Sequence, residues 1–344
     1  MDLDLILEPD LRPEQIAELA VLAEQLGFRG IWAQNYSSAR DPFMSLVPAA
    51  SATRRLKLGV VIVCPYEMHP MKITNALLTL NEYAHGRAMI VVGSGGEWPE
   101  VMSLPVFHTG YRQRLSNVRE SLEIISRSIS EKEITYNGSQ YSALRFSTAW
   151  HTAEPPLIYH GACGPKMLAL GASVADGVMM SDVMPAMFPK RLPVIKENLR
   201  VRLSANQFRI SNFVAWHVRE SREQSFAEAS RELIIRGWLE RDWLEPFLSP
   251  DETAWVLANR WLFLKAWLGK TGEIEGVPQH ITARLVEELS LAGNYGDIDR
   301  HVARLNSFAA AGFTEIALRL HEKPDESMRV IAARVLPAIL PTVS

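Results

Sequence analysis

Cysteine is nearly absent from this chain: among 344 residues there are two, Cys64 and Cys163. That excludes a disulfide framework and suits a reducing compartment. Charge of one sign is missing too. Lys and Arg number 36 against 39 Asp and Glu, and the basic residues are scattered, so no nucleic-acid footprint is expected. No apolar run approaches the ~18 residues that a membrane helix needs. The start, Met1-Asp2-Leu3-Asp4, carries acid where a signal peptide would carry base. The expectation is a soluble, cytoplasmic protein with no nucleic-acid or membrane partner.

Signature motifs are lacking as well. The nine histidines show no HExxH or paired ligand spacing, so no metal site is expected. There is no GxSxG elbow and no P-loop. Gly93-Ser94-Gly95 lacks the third glycine of a dinucleotide fingerprint.

What the sequence does have is a rhythm. Short β-branched runs alternate with amphipathic stretches: Leu3 to Leu7, then a helix from Pro13 to Leu26; Gly30-Ile31-Trp32, then Phe43 to Ala52. "LKLGVVIV" is almost wholly apolar, as a strand buried on both faces should be. Met71 to Tyr83, "RAMIVVG", Tyr111 to Ile129, "PPLIYH", a helix from Lys166, "DGVMMS", a helix ending at Leu199 and "FRISNFVAWHV" continue the series. Ile298 to Ala311, "TEIALRL" and a helix from Met328 to Leu340 complete it. Strand–helix alternation implies parallel pairing through right-handed crossovers, and eight units predict an α/β fold closed as a (β/α)8 barrel. The spacing makes residues 1–344 one domain.

Two stretches break the rhythm. Asn137-Gly138 between strand-like flanks predicts a small hairpin excursion near 134–144. Between Glu220 and Ala292 the chain reads as helical and tryptophan-rich, with Trp238, Trp243, Trp255, Trp261 and Trp267. Leaving from the C-terminal end of the seventh strand, this insertion could form a lid or a dimer surface. Most of its tryptophans are expected to pack a small core of their own.

In a barrel the active site lies at the C-terminal ends of the strands. Two of those loops are glycine-rich: "GSGGEW" from Gly93 through Gly95, and "HGACGPK" from His160 to Lys166. Glycine lets backbone N–H groups converge on an anion, and a helix N-terminus adds its own unpaired donors. A phosphate is therefore expected at Gly161 to Lys166, with Lys166 adding charge. Glu8, ending strand one, and Glu97, beside strand four, are the carboxylates of note. Glu8, Glu97 and His69 are the candidates to carry a proton, Glu8 first.

These segments resemble the bacterial luciferase-like superfamily, and within it the coenzyme F420-dependent, methylenetetrahydromethanopterin reductase-like branch. The resemblance is carried in order by "GFRGIWAQNY", by "LKLGVVIVCPYEMHPMKITNALLTLNEYAHGRAMIVVGSG", by "GACGPKMLALGASVADGVMMS" and by "YGDIDRHVARLNSFAAAGFTEIALRL". It implies a deazaflavin (alternatively FMN) across the barrel mouth, with Gly161, Ala162, Cys163, Gly164 and Lys166 on the cofactor phosphate. It also implies a bulge with a non-prolyl cis peptide under the ring, near Val61-Ile62. Where the branch commonly has an Asp-His pair this chain has Gln34-Asn35, and where it has Asn this chain has Cys64. Those amides can still bond a ring carbonyl but cannot donate a proton of matched pKa. Val61, Ile62, Trp32 and Trp98 are the expected apolar wall. The implied activity is hydride transfer to or from a small organic substrate, by a homodimer or higher homo-oligomer. A reduced-FMN monooxygenase and a non-catalytic flavin-binding protein are the alternatives.

Overall fold

The computed structural model describes residues 1–95, 110–200 and 207–342. Eight parallel strands close a barrel: β1 (Asp2–Leu7), β2 (Gly30–Gln34), β3 (Lys57–Val63), β4 (Ala88–Val92), β7 (Leu157–Gly161), β8 (Gly177–Ser181), β9 (Arg209–Arg219) and β11 (Glu315–Leu320). Pairing of β8 with β9, and of β11 with both β9 and β1, leaves no open edge in the ring. Helices α1 (Pro13–Leu26), α2 (Pro42–Ala52), α3 (Pro70–Tyr83), α4 (Tyr111–Glu131), α5 (Pro165–Val174) and α6 (Phe188–Leu199) follow the early strands. Four of these begin on a proline in their first turn and a fifth, α6, carries Pro189 there, where a missing N–H costs nothing and φ is already set; only α4 starts without one.

The expected hairpin is β5 (Glu133–Asn137) with β6 (Ser142–Ser147), antiparallel. The Glu120 carboxylate of α4 accepts from the backbone of Ser139, Gln140 and Tyr141 at its turn. Tyr141 donates its hydroxyl to the Pro65 carbonyl (2.8 Å) and meets the His69 ring edge-on. The excursion thus braces the loop after β3.

Residues 220–292 hold α7 (Arg222–Arg231), α8 (Arg241–Leu244), α9 (Pro250–Ala258), α10 (Arg260–Gly269) and α11 (Gln279–Leu289), as expected, and one element that periodicity does not predict. This is β10 (Ser290–Asn294), which pairs in parallel with the overhanging end of β9, Ala215 to Arg219. It is short and follows a helix without a break, so only the length of β9 signals it. After it come α12 (Ile298–Ala311) and α13 (Pro324–Arg334). The last helix starts four residues before the expected Met328 and stops before the expected Leu340, because Pro324 opens it and Pro337 stands beyond its end.

Inside the barrel Ile6, Trp32, Met89, Val91, Tyr159, Met179 and Ala317 form one apolar layer. Trp32 is fully buried there against Tyr159, and a Cβ on Gly59 would lie 2.1 Å from its ring. Trp32 is therefore core and not the wall of a site. Beneath it Asp4, Arg29, Tyr159 and Glu315 satisfy one another in a buried polar plug at the N-terminal end.

Candidate active site at the barrel mouth

Above the apolar layer the C-terminal strand ends open into a cavity of about 150 Å³. Val61 and Ile62 of β3 form its floor, Phe213 of β9 and Ile235 and Trp238 of the insertion its sides, and Gln34, Asn35, Tyr36 and Arg319 its polar rim. A second, wider groove of about 990 Å³ adjoins it and shares Tyr36 and Arg319.

The expected bulge is present: the β3–β4 register shifts between Val60 and Val63, and the Val61–Ile62 peptide is cis. Asn35 pins it from β2's end, its backbone N–H donating to the Val61 carbonyl (2.8 Å) and its Nδ2 to the Ile62 carbonyl (3.0 Å). The second Nδ2 hydrogen goes to Glu67, which also accepts from the Cys64 N–H. Gln34 is held similarly, its Nε2 donating to the Leu7 carbonyl and to Glu8, both at 3.1 Å. Each amide has its hydrogens committed to the protein. Gln34 and Asn35 thus offer the cavity acceptor oxygens, not donors to a ring carbonyl.

Glu8 does not suit the proton-donor role expected of it. It pairs with Arg319 through Nε (2.9 Å) and Nη2 (3.3 Å) and lies 3.2 Å from His321 Nδ1. Burial pushes its pKa up, but the charges of Arg319 and His321 and their hydrogen bonds prevail and hold it well below the usual range. Glu8 stays a carboxylate that fixes Gln34 and Arg319. His69 caps α3, its Nδ1 accepting from Met71 N–H, and does not line the cavity. Glu97 and Trp98 lie outside the described residues.

The two glycine loops serve packing first. A Cβ on Gly161 would sit 2.1 Å from Ile62 Cδ1, and one on Gly93 2.4 Å from the same atom. Gly95, at φ +79, lies against the Cys64 sulfur. Burial pushes the Cys64 thiol up to about 12, so it is a neutral, apolar prop and does not line the cavity. The Ala162 N–H is tied into the sheet on the Met179 carbonyl (3.1 Å). The Cys163 sulfur turns inward onto the Ser181 backbone N–H (3.3 Å), and burial raises its pKa to about 11. These contacts leave Gly164, the exposed N-cap of α5, as the forward part of any cradle. The Lys166 side chain lines an outer groove with Arg119 and Glu123 and not the cavity.

Sequence reasoning missed Arg319, Tyr36 and the clamp on Trp238. Arg319 shares the inward parity of Glu315 and Ala317 in β11, which was the available signal. The clamp centres on buried Asp182, whose carboxylate accepts from Arg236 Nη1 (2.9 Å), Ser181 Oγ (2.7 Å) and the Gly237 N–H (3.2 Å). Its carbonyl accepts from Trp243 Nε1 (3.0 Å). Gly237, Trp238 and Leu239 all have positive φ (53°, 56°, 47°) and swing Trp238 over the mouth. The insertion therefore roofs the site, while its Trp243 packs against Arg191 of α6.

Residues 5–315 match the luciferase-like monooxygenase family. The 5,10-methylenetetrahydromethanopterin reductase of Archaeoglobus fulgidus is 27% identical over 341 residues, covering 96% of this chain and 97% of that one. In fold, the coenzyme F420-dependent tetrahydromethanopterin reductase of Methanopyrus kandleri superposes with a TM-score of 0.77 at 21% identity over 98% of this chain and 99% of that one. The oxygenating component of the 3,6-diketocamphane monooxygenase of Pseudomonas putida, solved with FMN, superposes with a TM-score of 0.65 at 16% identity over 99% of each chain.

Proposed function

The chain belongs to the luciferase-like monooxygenase family, and from that premise we propose that it is an F420-dependent oxidoreductase that exchanges hydride with a small organic substrate. The observation that carries this reading is the likeness to a methylenetetrahydromethanopterin reductase along nearly the whole chain. The mouth fits a deazaflavin. The Val61–Ile62 bulge supplies an apolar floor, and Trp238 stands over it. The left-over oxygens of Gln34 and Asn35 suit the N–H edge of a reduced ring. Such a cofactor supplies hydride; the protein's part is placement of the reacting atoms.

Its phosphate goes to the amides around Gly164 at the start of α5, where the helix dipole favours an anion. Val61, Ile62, Gly93, Gly95 and Gly161 shape the ring site, Ala162 and Cys163 hold the α5 loop, and Cys64 packs against Gly95. Glu97 is the alternative acid of this reading. Titrating the apoprotein with coenzyme F420 and with FMN is the test: F420 should bind and FMN should bind more weakly. The fold shared with an FMN-bound oxygenase favours a second reading, a reduced-FMN monooxygenase. Binding of FMN alone, with oxygen-dependent turnover, would establish that instead.

The same reading makes the chain one domain working in the cytoplasm, consistent with two free thiols. Among the described residues no helix is long and apolar enough to cross a membrane. It also makes the protein a homodimer. Phe43, Met44, Val47, Met68, Ala76 and Leu80 line an apolar groove of about 490 Å³ between α2 and α3, and Met44 is 69% exposed. Light scattering should give twice the 38.6 kDa chain mass.

A further inference from the structure

We propose that Tyr36 is the catalytic proton donor of this site and that Arg319 is the positioning residue that directs its hydroxyl hydrogen into the cavity. The proposal rests on the hydride-transfer reading above and assigns the acid that the Gln34-Asn35 pair cannot supply.

Elimination points to it first. Among the described residues lining the cavity, Gln34 and Asn35 have both amide hydrogens committed. Ser181 gives its hydroxyl hydrogen to Asp182 at 2.7 Å. Arg319 is a permanent cation. Tyr36 alone combines a transferable proton with a place on the rim.

Geometry then directs that proton. Glu8 takes the Nε hydrogen and one Nη2 hydrogen of Arg319, and the guanidinium charge bears on the Tyr36 hydroxyl at the rim that both residues line. A guanidinium has no acceptor, so toward that cation Oη can only present its lone pairs. The hydroxyl's own hydrogen therefore turns away from Arg319, toward the cavity that Tyr36 lines. The charged groups facing Tyr36 are Arg319 from β11, Glu8 from β1 and Glu232 from the insertion, with His321 behind Glu8. Burial, together with the two carboxylates, pushes the Tyr36 pKa up against the pull of Arg319, so the phenol stays protonated at neutral pH.

The balance is simple. With hydride supplied by the reduced deazaflavin, a C–H bond forms at the carbon of a C=N or C=O group, and the π pair passes to the heteroatom. The Oη–H bond of Tyr36 breaks, an N–H or O–H bond forms, and the phenolate is left against Arg319. Because Tyr36 also lines the wide groove, water there returns the proton. The substrate class is therefore a polar double bond that must be protonated as it is reduced, an imine or carbonyl.

Two measurements test this. In the apoprotein, tyrosines labelled at Cζ are followed by NMR across pH, with the Tyr36 signal assigned by its loss in Tyr36→Phe. It should remain phenolic to above about pH 10 and titrate higher still in Arg319→Lys, whose shorter reach draws the positive charge away from the hydroxyl. A phenolate signal at neutral pH would overturn the proposal without any cofactor. In the F420-loaded protein, Tyr36→Phe should bind the cofactor as wild type does but lose about 10²- to 10⁴-fold in turnover of imines or carbonyls, with the alkaline limb of the pH profile gone. Unchanged turnover in Tyr36→Phe, or its collapse only in Glu97→Gln, would overturn it. Wild-type protein that binds no F420 would instead remove the function proposed above, and this assignment with it.

Discussion

The Cδ1 methyl of Ile62 fills the space that a side chain on Gly161 would need: a Cβ there would lie 2.1 Å from it. Gly93 meets the same methyl at 2.4 Å. The floor of the cavity is thus keyed into the ends of β4 and β7 by one side chain. Gly161→Ala should destabilise the protein by about 1–3 kcal/mol, the usual cost of overpacking. Adding Ile62→Val, which deletes the offending methyl, should recover most of that loss in a double-mutant cycle measured by denaturant unfolding. Gly164→Ala is the contrast. Nothing lies within 4 Å of its Cβ position and φ is −78°, so stability should hold within about 0.5 kcal/mol.

Asp182 and Arg236 are both buried and bonded to each other at 2.9 Å. Breaking such a pair from one side leaves an uncompensated charge and costs about 3–5 kcal/mol. Asp182→Asn preserves the size and tolerates the positive φ of 51°, so its effect reports on the charge. It should lower stability by an amount in that range and loosen the turn from Gly237 to Leu239. Limited proteolysis should then cut near Trp238 in the variant and not in the wild type. Uncut variant protein with unchanged unfolding would show that the roof is held by packing alone.

The barrel was legible because its strands are buried on both faces and its helices on one, and each leaves its own period in the sequence. Trp32 shows where that legibility ends. Its place in the second strand was readable, but its depth was not, since only the absence of a side chain at Gly59 lets it lie inside the barrel. The glycines of the fourth and fifth units were legible as special and misread as to cause: Gly93 and Gly161 yield to Ile62. Glu8 was placed correctly at the mouth, yet its protonation state is set by Arg319 and His321, more than 300 residues away in the chain. Such long-range pairing leaves no local pattern. The inward parity of Arg319 did, two residues beyond Ala317 in the last strand.

Acid should unfold this protein early, for a reason separate from its carboxylates. His160, His217 and His301 are buried, and burial lowers each to a pKa of about 4, aided at His217 by His321 and at His301 by Arg300 and Arg304. Unfolded, each returns to about 6.5. Between those values the unfolded chain binds more protons than the folded one, so stability rises with pH across the window and falls as pH drops through it. One proton is worth about 1.4 kcal/mol per pH unit, and three titrating together give a slope of about 4 kcal/mol per unit at most. Above about pH 7 the slope from these residues should vanish. Urea unfolding at half-unit steps from pH 7.5 to 4.5, about the span of the two pKa values, would measure it. His160 makes one hydrogen bond, its Nδ1–H donating to the Val92 carbonyl, and its Nε2 is unpartnered, so it is the cleanest site to remove. His160→Gln should flatten the slope by about one proton's worth, even if it lowers stability at every pH. An unchanged slope in that variant would mean that His160 is already protonated in the folded protein and that its buried charge is balanced from elsewhere.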